Sequence, residues 1–554
     1  MEKIWTKHYE KTVDETINVA PFNSLIESFH SYTQRFADFN AFSNFGVKLT
    51  YRDLAQQVKQ LAAYMQNEFQ IKKGDRVAIM MPNLLQYPVA LFAVLSLGGI
   101  VVNVNPLYTG RELEHTLKDS GAVAIVICKN FASTLESVIS RSQVKNVLIT
   151  GLGDRLGFKG KIINFVVKYV KKMVPKFNLP QAVDFNRALS AGAKLPYAEV
   201  ASSLSDVAFL QYTGGTTGPS KGAMLSHGNM LANATQFRTW IGSVVEAGVD
   251  VAVTPLPLYH IFSLTVCCLS YIGLGAECML ITNPRDIPGF IKILKENPGT
   301  FFVGINTLYN ALVNHPDAKD IDTSKLKFCG SGGMSTQHAV SEKWFALTGK
   351  HIIEGYGLTE TSPVLTFSPM YVKDFSGSCG LPLPNTEISI RDGDGNELTT
   401  GQKGEVWARG PQVMQGYWQR PEATKEVITE DGWFKTGDIG LMDKEGWLYL
   451  VDRKKDMIIV SGFNVYPNEI EDVLVEHEGV LEAAVIGVPS EKTGEAVKAF
   501  IVKNDPGLTE QDLENYCRKS LTAYKVPKII EFRDELPKSN VGKVLRRMLR
   551  DGEG

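Results

Sequence analysis

Short apolar runs separated by helical stretches organise the first 380 residues. The runs RVAIM (76–80), IVVNVN (100–105), AVAIVIC (122–128) and NVLIT (146–150) have the length and β-branched content of buried strands. Between such runs, residues 52–69 (RDLAQQVKQLAAYMQNEF) repeat their apolar positions at helical spacing. This alternation predicts a doubly wound α/β architecture. After about residue 380 the texture changes. Turn signals crowd together in DGDGNE (392–397), TTGQKGE (399–405) and EDGWF (430–434), which predicts a small antiparallel β unit. The remaining residues mix helices with short strands and read as a separate α+β domain. The charged run Asp452-Arg453-Lys454-Lys455-Asp456 marks the boundary, giving domains 1–454 and 455–554.

Two apolar stretches resemble membrane spans in hydropathy alone. Val77 to Gly110 carries no charge, but Pro82, Asn83, Gln86, Pro88 and the Gly98-Gly99 pair break it into strand, loop, buried helix and strand. Ile261 to Ala276 is shorter than the ~20 residues a span needs. A third stretch, FKGKIINFVVKYVKKMVPK (158–176), holds six lysines and no acid. Lys161, Asn164, Lys168 and Lys171/Lys172 fall on one stripe at helical spacing, with apolar residues filling the rest. Two readings stay open: a helix lying on an anionic membrane surface, or a surface helix whose apolar face packs on the core.

Composition narrows the class. The chain is 44% hydrophobic and 21% charged, enough for a sizeable core. A formal net charge of −2 gives no basic field for nucleic acid. The seven cysteines form no CxxC pair, which argues against a zinc site or a disulfide scaffold. The N-terminal segment has acidic residues throughout and no apolar core, so it does not read as a signal peptide. A cytoplasmic protein without a transmembrane helix is expected, with attachment to the inner face of the cytoplasmic membrane depending on 158–176.

The strongest chemical signal is Tyr212-Thr213-Gly214-Gly215-Thr216-Thr217-Gly218-Pro219-Ser220-Lys221-Gly222, directly after the apolar run 207–210. Glycines admit backbone N–H groups close to a phosphate, threonines add hydroxyl donors, and lysine adds charge. The spacing fits neither the G-x-x-x-x-G-K-[ST] loop nor G-x-G-x-x-G. A flexible surface loop is the alternative, and the interleaving of donors with glycines argues against it.

This loop resembles the phosphate loop of the adenylate-forming superfamily, which includes acyl-CoA synthetases, luciferases and peptide adenylation domains. The superfamily's further motifs follow in order: Pro257-Leu258-Tyr259-His260, Gly330-Ser331-Gly332-Gly333-Met334, Glu354-Gly355-Tyr356-Gly357-Leu358-Thr359-Glu360, Thr436-Gly437-Asp438, Asp452-Arg453-Lys454-Lys455 and Pro537-Lys538-Ser539-Asn540-Val541-Gly542-Lys543. Taken alone, His260 reads as an ordinary buried histidine. The likeness covers essentially the whole chain, including Pro82-Asn83-Leu84-Leu85-Gln86-Tyr87-Pro88-Val89-Ala90-Leu91-Phe92, and is nearest to bacterial long-chain fatty-acyl-CoA synthetases.

The resemblance implies a large domain of doubly wound α/β subdomains with a small β-barrel-like unit, and a small mobile α+β C-terminal domain. It implies that ATP is held by Thr213, Gly214, Gly215, Thr216, Thr217, Gly218, Lys221, Gly332, Gly355, Tyr356, Thr359, Asp438 and Arg453. Tyr356 would stack on adenine, Asp438 would accept from the ribose hydroxyls, and Thr213 with Glu360 would hold Mg²⁺. His260 and Lys543 would be catalytic. The acyl group would lie against His260, Phe262, Gly304 and Gly332, with the two glycines leaving space. Lys455 would be the hinge, and Ser461 with Gly462 would line the entry of CoA.

The implied reaction joins fatty acid, ATP and CoA into acyl-CoA, AMP and diphosphate through an acyl-adenylate, feeding fatty acid degradation or lipid synthesis. The chain ends at Gly554, soon after Lys543, with no carrier domain, which favours diffusible CoA as acceptor. The stretch Asp431–Lys455 resembles a fatty-acyl-CoA synthetase signature but has Met442 where tryptophan, and Lys444 where proline, is usual. An aryl- or medium-chain acyl-CoA ligase of the 4-coumarate type is the alternative. A non-catalytic sensor would lack Lys543, Glu360 or Asp438, and all three are present. An acyl-AMP ligase that stops at the adenylate would carry an insertion after the hinge motif, and none is evident. A homodimer is left open.

Overall fold

The computed structural model describes residues 3–213, 220–539 and 542–552. Four sheets organise them. The first sheet has eight strands. Its six parallel members are Val207–Tyr212, Ile100–Asn103, Arg76–Met80, Ala124–Cys128, Asn146–Thr150 and Ala182–Asp184, in that spatial order. All four apolar runs named above are therefore strands of one parallel sheet. Gly222–Ser226 and the two-residue strand Gly416–Tyr417 extend it antiparallel at one edge. The second sheet has nine strands, and its centre (Glu277–Leu280, Val251–Thr254, Phe301–Gly304, Phe328–Ser331 and Ile352–Gly357) is also parallel.

Local chemistry explains the helices between them. Thr50 caps the helix Tyr51–Asn67 by accepting from the Asp53 N–H, and Leu54, Val58, Leu61 and Met65 line its buried face. The helix Gln86–Ser96 is buried on every side, as the apolar residues all round its axis from Val89 to Leu95 require. It joins the two sheets: the Asn83 amide just before it donates to the Thr254 and Leu256 carbonyls. Ile261 to Ala276 folds as a buried helix with a π-helical segment at Leu264–Ser270. No helix among the described residues is long and apolar enough to cross a membrane.

Glu387–Arg391, Gly404–Arg409, Phe434–Met442 and Leu448–Arg453 form a four-stranded antiparallel sheet where the turn-rich sequence predicts one. The next strand, Ile458–Val460, belongs to a different, five-stranded sheet with Phe463–Val465, Gly494–Lys503, Val480–Ser490 and Ile529–Arg533. That sheet has its own apolar core with the helices Pro467–Val475 and Glu510–Ser520.

The basic stretch departs from regular helix. Gly157–Phe165 is α-helical, but Val166–Val170 is a π-helical turn, so residues beyond it shift around the axis. Asn164 leaves the lysine stripe and anchors the segment: its oxygen accepts from the Gly153 N–H and its amide donates to Asp154. The core takes Ile163 in part and leaves most of the other apolar residues uncovered. Phe158 is 78% exposed, and Ile162, Phe165, Tyr169, Val170 and Met173 are also exposed.

Candidate active site

Parallel strands of an open α/β sheet present their carboxyl ends at one edge, where such folds bind ligands. Most candidate residues collect there. His260 follows the strand Val251–Thr254, Gly304 ends Phe301–Gly304, Gly332 follows Phe328–Ser331, and Gly355 and Tyr356 lie in Ile352–Gly357. Thr213 and Lys221 face each other at the carboxyl end of Val207–Tyr212, where the Thr213 N–H donates to the Lys221 carbonyl. The loop they close returns as an antiparallel strand rather than a helix, which separates it from the G-x-x-x-x-G-K-[ST] type. Gly214, Gly215, Thr216, Thr217 and Gly218 lie outside the described residues, as do Asn540 and Val541.

The segment carrying His260 is held from the first sheet. Leu258 N–H donates to Asn83, the Tyr87 hydroxyl donates to the Leu258 carbonyl, and the Gln211 amide donates to the Tyr259 carbonyl. The His260 Nδ1 accepts from the Phe262 N–H at 3.3 Å, so the neutral ring carries its proton on Nε2. Burial, aided by the charge of Lys543, lowers its pKa to about 4 and keeps it neutral at pH 7. Gly332 lets the Phe262 ring approach: a Cβ there would sit 3.0 Å from it. Gly304 is crowded in the same way by Phe302 and Tyr309. The space expected at these two glycines is taken up by aromatic rings.

The Tyr356 hydroxyl donates to Asp438 at 2.7 Å, and the other Asp438 oxygen pairs with the Arg453 guanidinium at 3.1 Å. Asp438 and Arg453 are cross-strand neighbours in the antiparallel sheet, which fixes their pairing. Glu360 follows in the short turn Thr359–Thr361. Burial raises its pKa, and the Tyr417 hydroxyl donates to its Oε1 at 2.7 Å. A half-buried carboxylate hydrogen-bonded by a neutral phenol, with Arg453 adding positive charge, keeps capacity for a cation. No group of three or more His, Cys, Asp or Glu that could hold a metal occurs among the described residues. The Glu360 carboxylate and the Thr213 hydroxyl are oxygen donors of the kind a hard cation takes.

The five-stranded unit delivers Lys543. Its turn is built by hydrogen bonds between Ser539 and Lys543 and by Gly542 at φ +81°. A Cβ on Gly542 would approach Thr307 Oγ1 to 2.6 Å and Ile305 to 2.8 Å, so the turn is seated against the segment after Gly304. Burial lowers the Lys543 pKa to about 8, the charge of Arg453 adds to this, and Asp438 opposes it. Lys455 lies in the turn after Arg453, and burial lowers its pKa as well. Ser461 and Gly462 are not brought into this cluster. They form an exposed turn between Ile458–Val460 and Phe463–Val465.

Asn83, Tyr87, Gln211, Thr307 and Tyr417 complete the surroundings. The sequence pointed to the stretch 82–92 but gave Asn83 and Tyr87 no role. Pairings across more than a hundred residues, such as that of Asn83 with Leu258, leave no local pattern to read.

The AMP-binding enzyme family matches residues 29–418, and the AMP-binding enzyme C-terminal domain matches residues 469–543. The chain is 57% identical to a long-chain-fatty-acid–CoA ligase of Yersinia pestis, over 100% of this chain and 98% of that one. It is 55% identical to the enzyme of that name from Escherichia coli O157:H7, over 100% and 98%. The crystal structure of the anthranilate CoA ligase AuaEII with anthranoyl-AMP superposes with a TM-score of 0.85 at 23% identity, over 97% of this chain and 99% of that one, a likeness of fold. The chain therefore belongs to the AMP-binding enzyme family, the adenylate-forming superfamily its motifs resemble.

Proposed function

We propose that this chain is a long-chain fatty acid–CoA ligase, forming acyl-CoA, AMP and diphosphate through an acyl-adenylate. The observation that carries the reading is Lys543, brought from the C-terminal unit to Asp438 and Arg453 beside the strand ends that hold His260, Gly332 and Tyr356. Full-length relatives more than half identical bear the same name.

A carboxylate attacking ATP brings two anions together, so the site must neutralise charge before it can position the reactants. Mg²⁺, held by Glu360 and Thr213, would supply electrostatic stabilisation of the phosphates. Lys543 and Arg453 add fixed positive charge. His260, neutral with its proton on Nε2, donates a hydrogen bond to the acid or α-phosphate without adding charge. Asp438 exchanges its bond with Tyr356 for the ribose hydroxyls and frees that ring to stack on adenine. The C-terminal unit then pivots at Lys455 and brings Gly462 to the path of the CoA thiol, which attacks the acyl carbonyl and expels AMP.

AMP release with CoA, measured across acids from C8 to C18 and with coumarate, tests the substrate. Turnover is expected to be highest among the long-chain acids. Preference for octanoate or coumarate would replace this reading with the medium-chain or aryl one.

The segment 158–176 meets an anionic membrane surface, from which a long-chain acid is taken up. Its exposed Phe158, Phe165, Tyr169 and Val170 stand beside Lys161, Lys168, Lys171 and Lys172, the combination an interfacial helix needs. The wild type is expected to float with anionic liposomes, and a variant with these four lysines changed to glutamate to stay in solution. Wild-type protein that fails to float defeats the proposal.

A further inference from the structure

Tyr417 touches both halves of the phosphate-binding apparatus. Its hydroxyl donates to Glu360 Oε1 at 2.7 Å, and the Lys221 ammonium lies 5.0 Å from its ring centroid. The first contact fixes one carboxylate oxygen of Glu360. The second is a cation–π contact within the ~6 Å such attraction requires. Tyr417 is 8% exposed, while Lys221 and Glu360 are half-buried.

The backbone holds that ring in place. Gly416 and Tyr417 pair with Met224 and Ala223, directly after the phosphate loop, and the Trp418 N–H donates to the Gly222 carbonyl. On the other side the Met414 N–H donates to the Glu360 carbonyl. Beyond Tyr417 the chain converges on Asp119. Arg420 pairs with its carboxylate at 2.5 Å, and the Trp418 indole N–H donates to its carbonyl. The Tyr212 hydroxyl, one residue before Thr213, donates to the same carboxylate at 2.8 Å. Both ends of the phosphate loop are thus tied to one strap, residues 414–420, and the strap carries Tyr417 between Lys221 and Glu360.

We infer that Tyr417 is a positioning residue that sets the metal-binding carboxylate of Glu360 and the phosphate-loop lysine Lys221 in register, through its hydroxyl and its ring respectively. The inference rests on the reading of Glu360 as a Mg²⁺ ligand. The two contacts are chemically separable. Tyr417→Phe keeps the ring and deletes the hydroxyl, whereas Tyr417→Leu deletes both.

The test is calorimetric binding of ATP, without fatty acid or CoA, in EDTA and across a Mg²⁺ titration, with a melting curve for each variant. Tyr417→Phe is expected to bind metal-free ATP within about twofold of wild type, while the Mg²⁺ concentration giving half-maximal tightening rises by roughly tenfold, the scale of losing a partner of a metal ligand. Tyr417→Leu is expected to weaken metal-free ATP binding as well, because Lys221 loses its platform. Glu360→Gln is the reference and is expected to lose most of the Mg²⁺ response. If Glu360→Gln responds to Mg²⁺ like the wild type, the carboxylate is not the ligand and the inference falls with it. If Glu360→Gln loses the response but Tyr417→Phe keeps it unchanged, the metal reading stands and the role of Tyr417 is overturned. A Tyr417→Leu protein with wild-type metal-free affinity overturns the Lys221 half alone.

Discussion

Replacing Lys543 with alanine is expected to slow acyl-adenylate formation by ~10²–10³-fold, read as ATP–pyrophosphate exchange, the scale of losing one charged group aimed at a transition state. Thioester formation from preformed acyl-adenylate should change far less, because the ammonium acts on the phosphates of the first step. The setting of Lys543 supports an effect of this size. Its turn is seated against Ile305 and Thr307, and its half-buried side chain feels the charges of Arg453 and Asp438 in a partly desolvated setting. A pH profile separates charge from packing. Burial lowers the Lys543 pKa to about 8, so the ammonium keeps its proton below that value and loses it above. Adenylation by the wild type should decline as pH rises through about 8. Lys543→Arg stays charged there and should lose that limb even if its overall rate is lower. An alanine variant that melts like the wild type and exchanges pyrophosphate at the wild-type rate would remove Lys543 from the mechanism.

Features written in the local repeat of the chain were legible before the structure. RVAIM, AVAIVIC and NVLIT are strands of a parallel sheet whose two covered faces bury their consecutive apolar residues, and the helical spacing in 52–69 falls on the helix Tyr51–Asn67. The motif residues were legible as types, and the strand ends gather His260, Gly304, Gly332 and Tyr356 in the order the sequence lists them. Other features were hidden because they depend on segments far apart. Two residues, Gly416 and Tyr417, are too few to show a period, and their partner strand lies nearly two hundred residues away. Trp5 reads as part of a polar N-terminal segment, yet it is 1% exposed against Gly446. The stripe at 158–176 requires a regular α-helix. The π turn at Val166–Val170 and the inward Asn164 break that geometry, while the exposure of its apolar side chains survives.

Gly462→Leu is expected to leave pyrophosphate exchange within a few-fold of wild type and to reduce thioester formation by ~10²-fold or more, the cost of keeping a reacting group out of position. In the observed arrangement a Cβ on Gly462 would meet no atom within 4 Å, and the turn is exposed. A side chain there therefore starts into open space in this arrangement. If rotation about Lys455 carries Gly462 to the path of the CoA thiol, the same leucine fills that path. Backbone strain is the competing cause, because Gly462 sits at φ +84° after Ser461 at φ +51°, and a side chain in that region costs about 1–2 kcal/mol. Gly462→Ala bears the same backbone cost with little bulk. Strain predicts that alanine and leucine impair thioester formation alike and lower the melting temperature alike. Obstruction predicts a mild alanine variant and a leucine variant that accumulates acyl-adenylate in the presence of CoA. Equal loss of both half-reactions in the leucine variant would refute the role of Gly462, since a blocked thiol path cannot slow the step that precedes it.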